Sequence, residues 1–283
     1  MADEIFMAWH IARYVQTVAA AGRAEYPLPM YVNAWLAMDT TRPGQYPSGG
    51  PVHHMLNVWQ AAAPDIAMLA PDIYADPFTE ICQQYATNGN PLFIPESKRD
   101  EQAAANVFYA IGEHHAIGFA PFGIESMCDE HAAMLGRSYE LLDSLRPLLR
   151  DFWGTSRLIG VRQTEDAFQQ RDLGGFRLEI AFAPRQPGRS LGAGLIFALT
   201  DDHYLIAGHG LAVRFLSHAG DRRCVDFLSL EEGLYRNGQW LPGRRLNGDE
   251  YAVRLNQPAL LQVKLYQYDR GHRESKTQRA CII

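Results

Sequence analysis

The chain has no apolar run near the ~20 residues that a bilayer crossing needs, so a membrane partner is not expected. It also has no basic patch. Lys and Arg number 26 against 32 Asp and Glu, for a net charge of −6, which argues against a nucleic-acid partner. Cysteine is sparse. Cys82, Cys128, Cys224 and Cys281 are too widely spaced for a zinc site or a dense disulfide framework, and they read as buried or free thiols. No Gly-x-Ser-x-Gly elbow occurs. Gly192-Ala193-Gly194 and Gly208-His209-Gly210 lack the third glycine of a dinucleotide fingerprint and read as turns between strands. The acidic opening Met1-Ala2-Asp3-Glu4 is not a basic leader, so no signal peptide is expected in this chain.

What is present is a repeated unit: an apolar run, a polar or acidic tip, then a helical segment. The runs cover residues 30–36, 66–74, 92–96 and 117–125. Helical spacing is read over 4–21 (with Ile5, Trp9, Ile11, Ala12, Val15, Val18 and Ala19 apolar and Gly22 as cap), 53–62, 78–85, 102–112 and 134–152, where Pro147 threatens a break. Strands alternating with helices predict parallel βα units. Four such units make half of an eight-stranded barrel, whose chemistry sits at the C-terminal strand ends. The loop 39–51, rich in Pro, Gly and Thr, is longer than most connections, and such loops are often functional.

After Gly154 the pattern changes to short strands with Gly turns, among them 177–182, 195–199, 204–207, 211–216, 225–230 and 260–266, which predicts an antiparallel β-sandwich. The expected fold class is α/β plus all-β. The expected organisation is half of a (β/α)8 barrel over 1–154, a β-sandwich over 155–268 and a disordered tail over 269–283.

Glu96 is the leading candidate for chemistry. The run Leu92-Phe93-Ile94-Pro95 reads as a buried strand, and a Glu is not expected inside one. At the strand exit it would face the catalytic rim. The competing reading is a surface Glu paired with Lys98 or Arg99. Glu125 stands at the next strand exit. Two carboxylates about 5 Å apart suit retaining glycoside hydrolysis, and a wider gap suits inversion; otherwise Glu125 binds a sugar hydroxyl or is structural. The Tyr74 hydroxyl could hold a carboxylate ionised and oriented, or Tyr74 is a half-buried core aromatic. Trp35 offers a flat apolar platform for a sugar ring, or simple packing, and the amide of Asn33 points to the same side. Trp59 reads as helix packing. His53-His54 and His114-His115 are adjacent pairs whose side chains diverge, so no metal site and no cofactor are expected.

These residues resemble a known family. Tyr31-Val32-Asn33-Ala34-Trp35-Leu36, Asp72-Ile73-Tyr74, Leu92-Phe93-Ile94-Pro95-Glu96-Ser97 and Phe119-Ala120-Pro121-Phe122-Gly123-Ile124-Glu125-Ser126 look like bacterial family 35 glycoside hydrolases, β-galactosidases of the large retaining (β/α)8 clan. The segments Ile206-Ala207-Gly208-His209-Gly210 and Glu231 through Glu250 look like the β domain of unknown function, type 5597, that follows the barrel in one branch. The likeness implies that Glu96, on barrel strand 7, is the nucleophile. It implies that Tyr74 on strand 6 hydrogen-bonds it, and that Asn33, Trp35 and Glu125 line the galactose site. The clan's acid/base is a Glu directly after an Asn on strand 4, and no Asn-Glu pair occurs in the sequence. On this likeness the chain begins in the helix after strand 4.

The expected function is therefore that of a retaining β-galactosidase, with this chain inactive or nearly so without the acid/base half. The substrate would be a galactoside or oligosaccharide, and a second copy or another chain would supply the other half of the barrel. The family is often exported, but the compartment is left open. Alternative readings are a carbohydrate-binding or interaction module, and a different retaining glycosidase of the same clan.

Overall fold

The structure, a computed structural model, describes residues 2–38, 40–166, 168–218 and 223–269. The elements in chain order are α1 (Ala2–Glu25), β1 (Met30–Ala34), α2 (Leu56–Ala62), β2 (Ile66–Ile73), α3 (Phe78–Tyr85), β3 (Phe93–Ser97), α4 (Ala103–His114), β4 (Gly118–Pro121), α5 (Asp129–Ser144) and α6 (Arg146–Asp151). The strands β5 (Leu158–Arg162), β6 (Phe168–Leu173), β7 (Phe176–Phe182), β8 (Ala193–Ala198), β9 (His203–His209), β10 (Leu211–Leu216), β11 (Arg223–Arg236), β12 (Gln239–Arg245), β13 (Val253–Leu255) and β14 (Ala259–Asp269) follow. The chain divides into two compact units, residues 2–103 with 114–128, and 104–113 with 129–269. The switch from helices to antiparallel strands falls at Leu158, close to the change of texture in the sequence, while α5 and α6 cluster with the strands that follow them. Of the tail expected over 269–283, Asp269 ends β14 and 270–283 lie outside the described residues.

In the first unit the four strands form one parallel sheet in the order β1-β2-β3-β4. Parallel neighbours need a crossover between them, and α2 and α3 supply two of these. The sheet is open, not a closed barrel. Helix α1 turns a stripe of Glu4, Ala8, Ala12 and Ala19 inward, while Ile5, Trp9, Ile11 and Val18 are exposed. Of the expected apolar set, Ala12 and Ala19 are covered and Val15 is half-buried, while the large side chains of Ile5, Trp9, Ile11 and Val18 face outward. Gly22 does not cap α1, which continues to Glu25. Trp59 is buried in α2, and its indole donates to the Gly49 carbonyl at 3.0 Å.

In the second unit two antiparallel sheets, β13-β10-β7-β6 and β12-β11-β14-β9-β8-β5, share one core. Leu178, Ile180 and Val213 from the first meet Ile196, Ile206 and Val263 from the second, the arrangement of a β-sandwich. Strand β7 alternates buried and half-buried positions, as a strand with one covered face does. Strand β8 is buried at every position, because its other face is covered too: Phe152 meets Phe197 with ring centroids 5.6 Å apart, and a Cβ added at Gly112 of α4 would lie 2.3 Å from Leu195 Cδ2. Helix α4 lies directly on β5. A Cβ added at Gly160 would sit 2.4 Å from the Glu113 nitrogen, and one at Gly112 would sit 2.6 Å from the Gly160 Cα.

Gly194 and Gly208 are not turn residues. They pair with each other across β8 and β9, where an added Cβ at Gly194 would lie 2.4 Å from the Ala207 carbonyl oxygen. Gly210, at φ +64°, lets the chain step from β9 in one sheet to β10 in the other. The helix expected over 134–152 is broken, with Leu145 separating α5 from α6 and Pro147 in the first turn of α6, where a missing N–H costs nothing.

Candidate functional site

Because β1, β2 and β3 run parallel, their C-terminal ends lie at one end of the first sheet. Strand β2 runs through Pro71 to Ile73, and this places Asp72 beside Glu96 in the β2–β3 register. Tyr74 follows directly, and its hydroxyl donates to Glu96 Oε2 at 2.9 Å. The Asn33 amide, one strand further out, donates to both oxygens of Asp72, at 3.2 and 3.1 Å. Trp35, just past the end of β1, stacks on Tyr74 with ring centroids 5.7 Å apart and planes 22° from parallel. Its indole is still 54% exposed. Asn33, Trp35, Tyr74 and Glu96 therefore converge, with Asp72 as a fifth member that the motif reading left without a role.

The ion pair weighed against this for Glu96 does not form with Lys98, whose ammonium lies 3.7 Å from Asp76. Arg99 donates to the Phe122 carbonyl at 3.3 Å. Glu125 sits exposed in a short 3-10 turn, Ile124–Ser126, after β4, and among the described residues no hydrogen bond joins it to this network. Ser97, next to Glu96, is buried on the other side of the strand.

The electrostatics follow from the burial. Asp72 is 8% exposed. Burial raises its carboxyl to about 6, with the charge of Glu96 adding to the rise and the Asn33 amide opposing it. Burial, together with donation to Glu96, raises the Tyr74 phenol to about 12, so it keeps its proton and remains a donor. The site thus offers an oriented carboxylate at a strand end, a second carboxyl beneath it, an amide and an exposed indole face. A group of this kind can attack an electrophilic carbon while apolar and hydrogen-bonding surfaces hold the substrate.

Asp72 was legible in principle, as an acid inside an apolar run one strand away from an Asn. Among the described residues no group of three or more His, Cys, Asp or Glu side chains is placed to hold an ion. Nor is any described helix long and apolar enough to cross a membrane.

Residues 135–257 match the family described as a domain of unknown function, DUF5597. The match starts within α5 and takes in β5 to β13. It does not extend to the four parallel strands that carry the candidate site. No curated protein matches the chain.

Proposed function

We propose that Glu96 is the nucleophile of a retaining glycoside hydrolase acting on terminal β-galactosides, in the second half of a (β/α)8 barrel that precedes a DUF5597-type β domain. The observation that carries this reading is the 2.9 Å hydrogen bond from Tyr74 to Glu96 at neighbouring parallel strand ends. A carboxylate nucleophile must be aimed, and a phenol that keeps its proton fixes the position of the Glu96 oxygen it donates to. Attack by Glu96 on the anomeric carbon would displace the leaving oxygen and form a glycosyl ester, which water then hydrolyses. Trp35 would carry the apolar face of the sugar, Asn33 its hydroxyls, and Glu125 a hydroxyl at the rim. The leaving oxygen needs a proton, and general acid catalysis is worth roughly 10²–10⁴-fold. With no Asn-Glu pair in the sequence, that acid comes from outside these residues, by way of another chain or the rest of a longer one.

Incubation with 2-deoxy-2-fluoro-β-galactosyl fluoride followed by intact-mass and peptide mass spectrometry tests the reading, because fluoride leaves without much help from an acid. A mass gain mapping to Glu96 is the expected result. No label on the folded chain, alone or with the complementing half, would overturn it. Rapid turnover of a nitrophenyl β-galactoside by the 283-residue chain alone would place the acid within it.

One observation favours a second reading, carbohydrate binding by the β domain. Tyr266 and Tyr268 on β14 are 44% and 46% exposed. Their rings lie 5.8 Å apart and 30° from parallel, beside Asp226 on β11. Galactoside binding that survives Glu96→Gln and is lost in Tyr266→Ala/Tyr268→Ala would favour it.

A further inference from the structure

Two motifs remain without a role: the long loop after β1 and the pair His53-His54. The structure brings them together around Glu4. This carboxylate is 3% exposed, yet no Lys or Arg neutralises it among the described ion pairs. Instead, Tyr46 Oη donates to Glu4 Oε1 at 2.7 Å, and His54 Nε2 lies 3.0 Å from the same oxygen. Burial works against the charge, but these two hydrogen bonds outweigh it and hold Glu4 below its ordinary value. Glu4 is therefore an ionised acceptor, which fixes the proton of His54 on Nε2. Tyr46 has committed its only proton to Glu4, so its oxygen can only accept; His54 Nε2 lies 3.3 Å from it, and one lone pair is left for a further donor.

This triad forms part of the wall of a cavity of about 330 Å³, completed by Ala37, Met38, Thr41 and Pro43 among others. The size is at the lower end of the ~300–1,000 Å³ typical of small-ligand sites. The loop that lines it is tied by hydrogen bonds at several points. Thr41 Oγ1 donates to the Met38 carbonyl at 2.6 Å and accepts from the Met38 nitrogen at 3.1 Å, while Trp59 and Tyr85 tie down the carbonyls of Gly49 and Pro51. Ala37 is two residues beyond Trp35, so their Cα atoms are at most about 7–8 Å apart. Ala37 on the cavity wall and Trp35, which stacks on Tyr74, therefore stand on one short stretch of chain. Its lining, apolar on Met38 and Pro43 and hydrogen-bonding on Tyr46 and His54, has the two-sided character of a sugar ring.

We propose that this cavity is a second sugar subsite, which takes the neighbouring ring of an oligosaccharide whose first ring lies at Glu96. The inference rests on the glycosidase reading for the position of the first ring. Tyr46 accepts a hydroxyl of the second ring, Met38 and Pro43 cover its apolar face, and Glu4 keeps Tyr46 and His54 in place from below.

The test is titration calorimetry on Glu96→Gln protein, which cannot turn over. The ligands are methyl β-galactoside as the one-ring probe, with lactose, cellobiose, maltose and xylobiose as two-ring probes. The His54 ring resonances are followed by NMR. Lactose is expected to bind more tightly than methyl β-galactoside. Tyr46→Phe, which keeps the ring packing, is expected to weaken lactose about three- to tenfold and leave methyl β-galactoside unchanged. Equal losses for both ligands, or no loss for lactose, would overturn the subsite. If no galactoside binds but another disaccharide shifts His54 and depends on Tyr46, the galactosidase reading falls and the subsite stands. If no disaccharide of the panel shifts His54, the subsite falls.

Discussion

The phenol of Tyr74 and the carboxylate of Glu96 meet at 2.9 Å across the joint between β2 and β3, and the indole of Trp35 covers the phenol from above. Phenylalanine at position 74 would keep the aromatic stack and remove only the hydroxyl. Labelling of Glu96 by the fluorinated galactosyl fluoride should then slow by about tenfold, in line with loss of one hydrogen bond to a charged group, with little change in thermal unfolding. Labelling at the wild-type rate would leave Tyr74 with a packing role alone.

Asp72 gives a pH signature. Its carboxyl is raised from an ordinary 3.8 to about 6, chiefly by burial. The folded chain therefore binds this proton more tightly than the unfolded one. Stability contributed by the protonated group is full below about pH 4 and is lost as pH rises through about 6. At about 1.4 kcal/mol per pH unit, the ionised form costs about 3 kcal/mol at neutral pH. Asp72→Asn should raise the unfolding temperature of the first unit at pH 7–8, and the gain should shrink toward pH 4. A difference between variant and wild type that does not change with pH would contradict this.

How much of this could be read from the chain differs residue by residue. Glu96 and Tyr74 stood out because an acid or a phenol at the end of an apolar run has few structural reasons to be there. Helix α3 was legible at both ends: the helical spacing read over 78–85 is the helix observed. Asp72 lay inside the run 66–74 and the motif Asp72-Ile73-Tyr74 but was given no role, because its partner Asn33 stands on another strand. Pro71 pairs with Ala34 near the end of β1, where a missing N–H is tolerated, and the strand runs on. In α1 the expected apolar set spanned two stripes, of which the small residues Ala12 and Ala19 are covered and the large Ile5, Trp9, Ile11 and Val18 are not. Strands β6 and β12 were missed for the opposite reason. They are edge strands whose side chains are mostly solvated, so they carry little apolar signal.

His209 has the reverse sign from Asp72. It is 2% exposed, and its Nε2 lies 3.0 Å from the Leu191 carbonyl. Burial pushes the imidazole down to about 4, partly opposed by that hydrogen bond, from an ordinary 6.5. Between these values the unfolded chain takes up a proton that the folded chain refuses, so the β unit should lose stability as pH falls from 6.5 toward 4. In His209→Gln that acid-side loss should flatten, as read from denaturant midpoints at pH 4.5, 5.5 and 7. A variant whose midpoint tracks the wild type at all three would show that other groups set the acid limit.

The contact between α4 and β5 offers the sharpest test of packing. Gly112 and Gly160 face each other so closely that each needs the other to lack a side chain. An alanine at Gly160 drives its Cβ to within 2.4 Å of the Glu113 backbone nitrogen, and no rotamer change can relieve a clash with backbone. Overpacking of this kind costs about 1–3 kcal/mol. Gly160→Ala should lower the unfolding temperature of the β unit measurably and leave the Glu96 site untouched, because that site is built in the other unit. Gly112→Ala should do the same, with its Cβ 2.3 Å from Leu195 Cδ2. Because both variants force α4 off the same strand, the double variant should cost less than the two single losses together. Additive losses would mean that the helix accommodates each methyl separately, and that the backbone contact between α4 and β5 is not a single close-packed joint.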